Sequence, residues 1–498
     1  MTKTGTKVYF LLACIVVCLS FNSLMGKNTF TLTPNLLEAQ KNIASLRLDA
    51  GKTWLEAEKK TNPNNAAIQL FENYIDFFKI LCLQNETEFK AFEKNKAIRI
   101  EALKKVDDSN PYKLYGQAEI HLQSAFLKGM FEEYLGAAWD FRSCYQLLEQ
   151  NQKKFPQFIT NKKDIGILQA ILGTIPESYQ WIVNIAGMKG NLKQGLQLLK
   201  EYVDKAESDK EITMELKNAQ YFYTLFYLNF MKNKTETWKL TEKYTADYKT
   251  NLLAACIRSF SAKATDHTDD CIEALQSRPT SHEYIAFPYM EMMLGSALLY
   301  KLDLSAVQHF KKFVASNKDA SDNKEAYTKL AWCAWLKGDT STYWLYAKIA
   351  HNISNKGNKN KLASNGGADF FPETTLLKAR LLFDGGYYAQ AEEIMLHKPI
   401  HHFKTQLEKV EYTYRLGRIY HESNKLSKAI DYYEQTVKAN FKENEFMAAN
   451  ACLQLGYIYE KLNFKQLAKT HFNKVFEYKN AEYKNSLQQK AKAALEKL

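Results

Sequence analysis

Two segments near the C-terminus of this chain carry the same pattern of small, apolar and aromatic residues, and this repeat constrains the fold more than any other feature. One copy reads YRLGRIYHESNKLSKAIDYYEQTVK from Tyr414, and the next reads LQLGYIYEKLNFKQLAKTHFNKVFE from Leu453. Five pairs of residues coincide when the copies are aligned: Leu416 and Leu455, Gly417 and Gly456, Tyr420 and Tyr459, Ala429 and Ala468, and Tyr433 and Phe472. Such self-similarity predicts one helical hairpin per copy, stacked on its neighbour to bury an apolar face.

The order of residues within each copy is typical of the tetratricopeptide repeat (TPR). The Gly and the Ala are small where the two helices of one repeat cross closely, and we expect the aromatic residue to fill a hole between neighbouring repeats. The copies are spaced more widely than the usual period of about 34 residues. The additional residues fall in the turn at 437–446, where insertions are tolerated. We therefore predict an all-α fold of TPR-like helical hairpins arranged as a superhelix or solenoid.

Further copies of the pattern lie upstream and become weaker towards the middle of the chain. The copy from Thr375 has Ala379 at the small position. A weaker copy from Tyr289 keeps Gly295, and one from Glu325 keeps only the outline of helix, turn and helix. The repeats therefore extend well upstream of the two clear copies.

The chain divides on these patterns into five predicted regions. They are a signal peptide (1–26), an N-terminal helical region (27–160), a middle helical region with degenerate TPR-like hairpins (161–351), a flexible loop (352–369) and a C-terminal TPR array (370–498). The loop is predicted because its sequence is rich in Asn, Lys, Ser and Gly and has no apolar period.

The first half of the chain is also predicted to be helical, although less regular. Four apolar residues share one helical face, namely Ile68, Phe71, Ile75 and Phe78. A later segment, from Asp164, spaces glycines among apolar residues, which predicts short helices packed closely, with Pro176 in the first turn of one. Gly187 is interpreted as part of a turn between helices rather than a nucleotide-binding loop.

The segment 166–199, the helices that precede it from Pro111, and the C-terminal repeats together resemble a family of exported bacterial TPR proteins. More distantly, they are similar to eukaryotic TPR proteins associated with the mitochondrial outer membrane and inclusion-body clearance. The resemblance implies a scaffold or adaptor, with no catalytic residues to carry over. The N-terminus departs from the eukaryotic relatives, because it has the pattern of a signal peptide.

That N-terminal pattern consists of Lys3 and Lys7, an apolar run at 8–19 and a polar stretch through Gly26. A basic region, a short apolar region and small residues are typical of a secretory signal peptide. The apolar run is shorter than the roughly 20 residues of a membrane span. We expect cleavage near Gly26 and an exported protein that is periplasmic or envelope-associated. An uncleaved anchor stays open.

The net charge of +12 comes almost entirely from lysines scattered along the chain. Scattered lysines indicate solvated helix surfaces, whereas a nucleic-acid surface concentrates Arg and Lys beside stacking aromatics. We therefore predict protein partners and no nucleic acid, and peripheral association with a membrane stays open. Cys256 and Cys271 are close enough in sequence that a disulfide between neighbouring helices also stays open.

Motifs of the common catalytic sites are absent, including the phosphate-binding loop, the nucleophile elbow and the zinc-binding HExxH. The segment 266–271 reads Asp-His-Thr-Asp-Asp-Cys and could bind a metal, but its Asp and Thr residues are more typical of a helix cap. His401 and His402 have no evident third ligand. We therefore predict no enzyme activity, no catalytic residues, no metal and no cofactor.

The candidate binding site is the groove formed by the first helices of successive repeats. Positions counted from the Leu-Gly pair place six residues there: Arg380, Tyr414, Arg418, His421, Asn450 and Tyr457. Arg380 and Arg418 occupy the same place in successive repeats, and guanidinium groups bind carboxylates, including a peptide's C-terminal one, with two hydrogen bonds. The alternative is that both arginines pair with Glu411 or Glu422 and bind nothing.

These observations favour a non-enzymatic exported scaffold that binds peptide segments or folded proteins through its concave groove. The alternative is a structural subunit of an envelope assembly that contacts its partners through flat surfaces. An enzyme with a site in the N-terminal half also stays open.

Overall fold

The computed structural model describes residues 28–498 apart from seven short gaps, at 176–178, 188, 210–214, 232, 318–319, 358–371 and 440–444, and residue 480. The described residues form 24 α-helices and no strand, with two isolated β-bridges near the N-terminus. The predicted all-α, helical-hairpin fold is confirmed.

The chain divides into two compact units. The first contains residues 1–261 and 277–287, and the second contains 262–276 and 288–498. This division does not test the region boundaries predicted from the sequence.

The first unit is built from the first twelve helices, the last of which ends three residues into the second unit. They are α1 (Pro34–Ala44), α2 (Leu48–Thr61), α3 (Ala67–Leu83), α4 (Glu86–Lys104), α5 (Tyr112–Met130), α6 (Tyr134–Lys154), α7 (Asn161–Leu172), α8 (Gln180–Ala186), α9 (Leu192–Ser208), α10 (Leu216–Phe226), α11 (Lys234–Tyr244) and α12 (Leu252–Ala264).

The second unit contains the other twelve. They are α13 (Thr268–Gln276), α14 (Tyr289–Tyr300), α15 (Ala306–Ser316), α16 (Ala320–Lys337), α17 (Thr340–Gly357), α18 (Thr374–Asp384), α19 (Tyr388–His397), α20 (Gln406–Glu422), α21 (Leu426–Lys438), α22 (Glu445–Lys461), α23 (Lys465–Lys474) and α24 (Lys484–Leu495).

The small residues of the repeat pattern lie where the two helices of a hairpin cross. A Cβ atom added to Gly417 on α20 would lie 2.6 Å from the ring of Tyr433 on α21. Gly456 has the same relation to Phe472. A Cβ atom added to Gly295 would lie 2.8 Å from the ring of Phe310. Real Cβ atoms essentially never lie so close to another atom, so a larger residue at these crossings would have to displace the aromatic ring.

The aromatic residue of the pattern is correspondingly pressed against the glycine of its own repeat. Tyr433 and Phe472 are fully buried, and their rings also contact aromatic rings of the same hairpins, those of Tyr414 and Tyr457. These contacts lie within each hairpin, and the placement of the rings between neighbouring repeats stays a prediction.

The first helices of the C-terminal hairpins lie side by side, because α18 contacts α20 and α20 contacts α22. Polar contacts join the turn after α18 to α13: the Thr268 hydroxyl donates to the Gly385 carbonyl at 2.7 Å, and Asp269 accepts from Tyr387 and from Lys301 at the end of α14. These contacts lie within the second unit.

Glycines also permit the close approach of α7 and α9 in the first unit. A Cβ atom on Gly166 would lie 2.8 Å from the carbonyl oxygen of Gly195. Gly187 ends α8 with a φ of +72°, which confirms the predicted turn. Pro176 lies outside the described residues.

Several other predictions meet the structure only in part. Helix α17 continues to Gly357, so the predicted loop at 352–369 begins as helix, and the rest of it lies outside the described residues. The predicted signal peptide also lies outside them. None of the described helices is long and apolar enough to span a membrane.

Cys256 and Cys271 are both free thiols, so the disulfide that stayed open is not formed.

Candidate functional site

Arg418 lies on α20 and is held by two aromatic side chains. Its guanidinium lies 4.5 Å from the ring centroid of Phe383, and one nitrogen donates to the Tyr414 hydroxyl at 3.2 Å. Phe383 belongs to α18, so the arginine links two successive repeats. A stacked, partly desolvated guanidinium gains on the order of 2 kcal/mol from the ring.

Arg380 occupies the equivalent place on α18 but is more accessible. Its guanidinium lies 5.0 Å from the ring centroid of Trp332 on α16, and its side chain is 45% exposed. Its ion pair with Asp384 is long, at 3.8 Å. The arginine is therefore oriented by an aromatic ring, and its hydrogen-bonding edge stays accessible to solvent.

The alternative that Arg380 or Arg418 pairs with Glu411 is wrong. This carboxylate accepts from Arg415, whose Nε lies 2.7 Å away. The aromatic rings of Phe383 and Trp332 are the partners that sequence reasoning missed. The signal that could have found them is an Arg placed one hairpin after an aromatic residue on the same helix face.

The remaining predicted residues are packed within the hairpins to different extents. Tyr414 is buried and Tyr457 is half-buried, with its ring edge-on to Phe472. Burial lowers the pKa of His421, whose ring packs against Tyr433, so this imidazole is mostly neutral at neutral pH. Asn450 accepts a hydrogen bond from Gln454 at 3.0 Å. The structure therefore leaves Arg380 as the most exposed charged group of the predicted set.

A groove of about 570 Å³ opens in the first unit, where sequence reasoning assigned no site. It is lined by α2, α3, α4 and the loop 283–285, with Leu55, Ile75 and Ile98 among its apolar residues. Ile75 was predicted to share the core face of α3, but it is only half-buried and lines this groove. Ile98 is 67% exposed, more than any other large apolar side chain in the described part of the chain.

The loop on one side of the groove is held by hydrogen bonds. The amide of Ile285 donates to the Leu46 carbonyl at 3.0 Å, and the Tyr284 hydroxyl donates to the Thr250 carbonyl at 2.7 Å. The groove is therefore a preformed feature of the first unit.

A buried charge cluster lies deeper in the first unit, around Lys163. The ammonium lies 2.9 Å from Glu119, 2.8 Å from Asp164 and 3.1 Å from Glu215, and all four side chains are at most 5% exposed. The Tyr74 hydroxyl donates to Glu119 at 2.6 Å. Three carboxyl groups thus surround one cation.

The carboxyl groups of this cluster cannot all be charged at low cost. Burial and the neighbouring Glu119 carboxylate raise the pKa of Asp164 well above its usual range. Burial also raises the pKa of Glu215. At Glu119 burial is opposed by the charge of Lys163 together with hydrogen bonds from Asp164, Tyr74 and Lys163, and these together lower that pKa. The cluster is closed to solvent, so its role is to hold α5, α7 and the start of α10 together.

No protein-family model and no curated protein matches the chain. Three solved structures align with most of it. The apo form of the quorum sensor NprR from B. thuringiensis has 11% identity and a TM-score of 0.29, covering 90% of this chain and 98% of that one. The APC/C hetero-tetramer Cut9-Hcn1 has 10% identity and a TM-score of 0.24, covering 91% and 95%. Naa15/Naa10 bound to HypK-THB has 12% identity and a TM-score of 0.21, covering 93% and 67%.

These TM-scores are too low to carry an argument about function. The fold class rests instead on the geometry of the helical hairpins. The chain is an all-α protein of TPR-like helical hairpins.

The candidate metal ligands of the sequence are engaged otherwise or lie apart. Asp269 binds Lys301 and Tyr387, and the rings of His401 and His402 contact each other. Within the described ranges, no group of three or more His, Cys, Asp or Glu residues could hold a metal ion.

Proposed function

We propose that this chain is a non-enzymatic, exported scaffold that binds an acidic protein segment, or a free C-terminal carboxylate, along the first helices of its C-terminal repeats. The observation that carries the proposal is Arg380, which is oriented by Trp332 and exposes its hydrogen-bonding edge. A guanidinium fork binds a carboxylate through two charge-assisted hydrogen bonds. Arg418 contributes by fixing the adjacent repeat rather than by binding.

The export part of the proposal rests on the signal-peptide pattern of residues 1–26. Expression with the native N-terminus, followed by mass measurement of the mature chain, tests it. Loss of about the first 26 residues supports export with cleavage, and an intact N-terminus on the cytoplasmic side contradicts it.

The binding part is tested by capture from a native envelope extract with the full chain. We expect Arg380→Glu to reduce the recovery of specific partners by about tenfold, because it removes one charge-assisted, bidentate contact. Arg380→Lys retains the charge without the planar fork and is expected to be intermediate. Lys469→Glu on the exposed face of α23 is the matched control and leaves capture unchanged. Equal capture by Arg380→Glu and the wild type contradicts the proposed site.

A second candidate function, a structural subunit of an envelope assembly, is favoured by a different surface. Five large aromatic or apolar side chains are each at least 36% exposed there. They are Tyr134, Leu135 and Trp139 on α6, Tyr179 just before α8, and Trp181 on α8. The rings of Tyr134 and Tyr179 lie 5.5 Å apart. Tyr and Trp are enriched at the centres of protein interfaces. This candidate predicts that Trp139→Ala, and not Arg380→Glu, releases the chain from a stable envelope complex.

A further inference from the structure

We propose that the groove between α2, α3 and α4 is a second binding site, which takes a segment of a partner protein that carries an apolar side chain beside Lys or Arg. This inference does not rest on the proposed function, because the groove lies in the first unit and Arg380 lies in the second.

The groove carries a net negative charge. Five carboxylates line it against three cationic side chains, an excess of two negative charges in a chain whose net charge is +12. The carboxylates are those of Asp49, Glu56, Glu72, Asp76 and Glu283, and the cations are Lys52, Lys79 and Arg99. A local field opposite in sign to that of the whole protein favours a cationic ligand at this place.

The carboxylates of the groove are incompletely neutralised by neighbouring cations. Asp76 is paired with the buried Arg99 at 2.6 Å. Glu56 and Glu72 share a single ammonium, that of Lys59, at 2.8 and 2.6 Å.

Two further carboxylates, Asp49 on α2 and Glu283 on the loop, form no ion pair with any residue that the structure describes, and both are exposed. They supply the charge to which a Lys or Arg of the partner would bind.

The groove also presents apolar surface between these charges. Ile98 and Leu83 are 67% and 37% exposed in the free chain, and Leu55 and Ile75 lie beside them in the groove. Burial of an apolar side chain against this surface favours binding, because it removes apolar area from water. The volume lies within the range of about 300–1,000 Å³ that is typical of binding clefts. A partner segment with an apolar side chain next to a Lys or Arg therefore matches both the apolar lining and the negative charge of the groove.

The test uses the full chain and a fluorescent twelve-residue peptide that contains two Leu and four Lys among Gly and Ser, with a Glu-for-Lys peptide as its counterpart. Fluorescence anisotropy measures both. We expect the wild type to bind the Lys peptide with an affinity that falls with added salt. We expect the double variant Asp49→Lys with Glu283→Lys to bind it at least about tenfold more weakly. We expect Ile98→Ser, which removes apolar surface without adding a charge, to weaken binding by about threefold or more.

The controls match each substitution by exposure and chemistry. Glu242→Lys reverses an unpaired carboxylate on α11 outside the groove, and Leu345→Ser shortens an apolar side chain that is 57% exposed on α17. Both are expected to bind like the wild type, and because all substituted residues are exposed, circular dichroism should be unchanged.

Three outcomes overturn the proposal. They are no binding of the Lys peptide by the wild type, equal binding of the Glu peptide, and equal loss in Glu242→Lys. A wild-type dimer in light scattering that dissociates in the double variant would assign the groove to a second copy of this chain instead. Failure here leaves the capture experiment with Arg380→Glu unaffected, so the two proposals fail separately.

Discussion

At the scale of single residues, the helix crossings depend on glycines, which have no Cβ atom. Gly417, Gly456 and Gly295 lie in three different hairpins, and each meets the aromatic ring that follows it in the pattern. The glycines are tolerated inside helices, where each costs about 1 kcal/mol relative to Ala, because the ring fills the space that a Cβ atom would take.

We predict that Gly417→Ala destabilises the second unit by about 1–3 kcal/mol, because the new Cβ overlaps the Tyr433 ring. Urea unfolding of the full chain measures this cost. In a Tyr433→Leu background the same substitution should cost less, since the overlapping ring is gone. Gly129→Ala on α5 is the contrasting control: a Cβ there meets nothing within 4 Å, and stability should rise by about 0.5–1 kcal/mol. Additive costs for Gly417→Ala and Tyr433→Leu would contradict this account.

At the scale of the helices, the first unit is tied together by charges as well as by apolar packing. Lys163 and Asp164 on α7 meet Glu119 of α5 and Glu215 at the start of α10. Such a buried cluster fixes the mutual position of three helices, because leaving any one of its charges unpaired costs several kcal/mol.

The cluster makes the stability of the first unit depend on pH. Asp164 and Glu215 have pKa values raised above those of the unfolded chain, so the folded state binds their protons more tightly. Their contribution to stability is fully present below the unfolded pKa of about 4 and is lost as the pH rises through the folded values. We predict that the Asp164→Asn variant loses less stability than the wild type as the pH rises. Its free energy of unfolding, measured in urea, should fall less between about pH 5 and about pH 9 than that of the wild type.

The control for this prediction is Asp204→Asn, which removes a carboxylate that is 57% exposed and paired with Lys200 on the surface of α9. Its effect on the slope of stability against pH should be small. Parallel slopes for Asp164→Asn and the wild type would show that Asp164 is ionised in the folded state.

At the scale of the whole molecule, the two candidate binding surfaces lie in separate compact units. We predict that their substitutions act independently: Arg380→Glu leaves the affinity for the Lys peptide unchanged, and Asp49→Lys with Glu283→Lys leaves partner capture unchanged. Effects at distant sites without shared contacts usually add within about 0.5 kcal/mol. Measurement of both ligands on the triple variant checks this, and a deviation of more than about 1 kcal/mol would show coupling.

The C-terminal hairpins, and the place where the two helices of each one cross, follow from the sequence pattern alone. Gly417 and Tyr433 are close in the chain and recur as Gly456 and Phe472, so periodicity alone identified the helices and the place where they cross. Local spacing suffices here because side chains of one helical face meet those of the adjacent helix of the same hairpin.

Which charged groups are accessible to a ligand depends on the tertiary packing. The Arg380 and Arg418 positions are equivalent in sequence, yet one is exposed and the other lies on Phe383 from the previous repeat. Lys163 meets Glu215 across 52 residues, and Asp49 shares a groove with Glu283 from a distant loop. Such encounters depend on how helices pack over long separations, and no local period of the sequence encodes that.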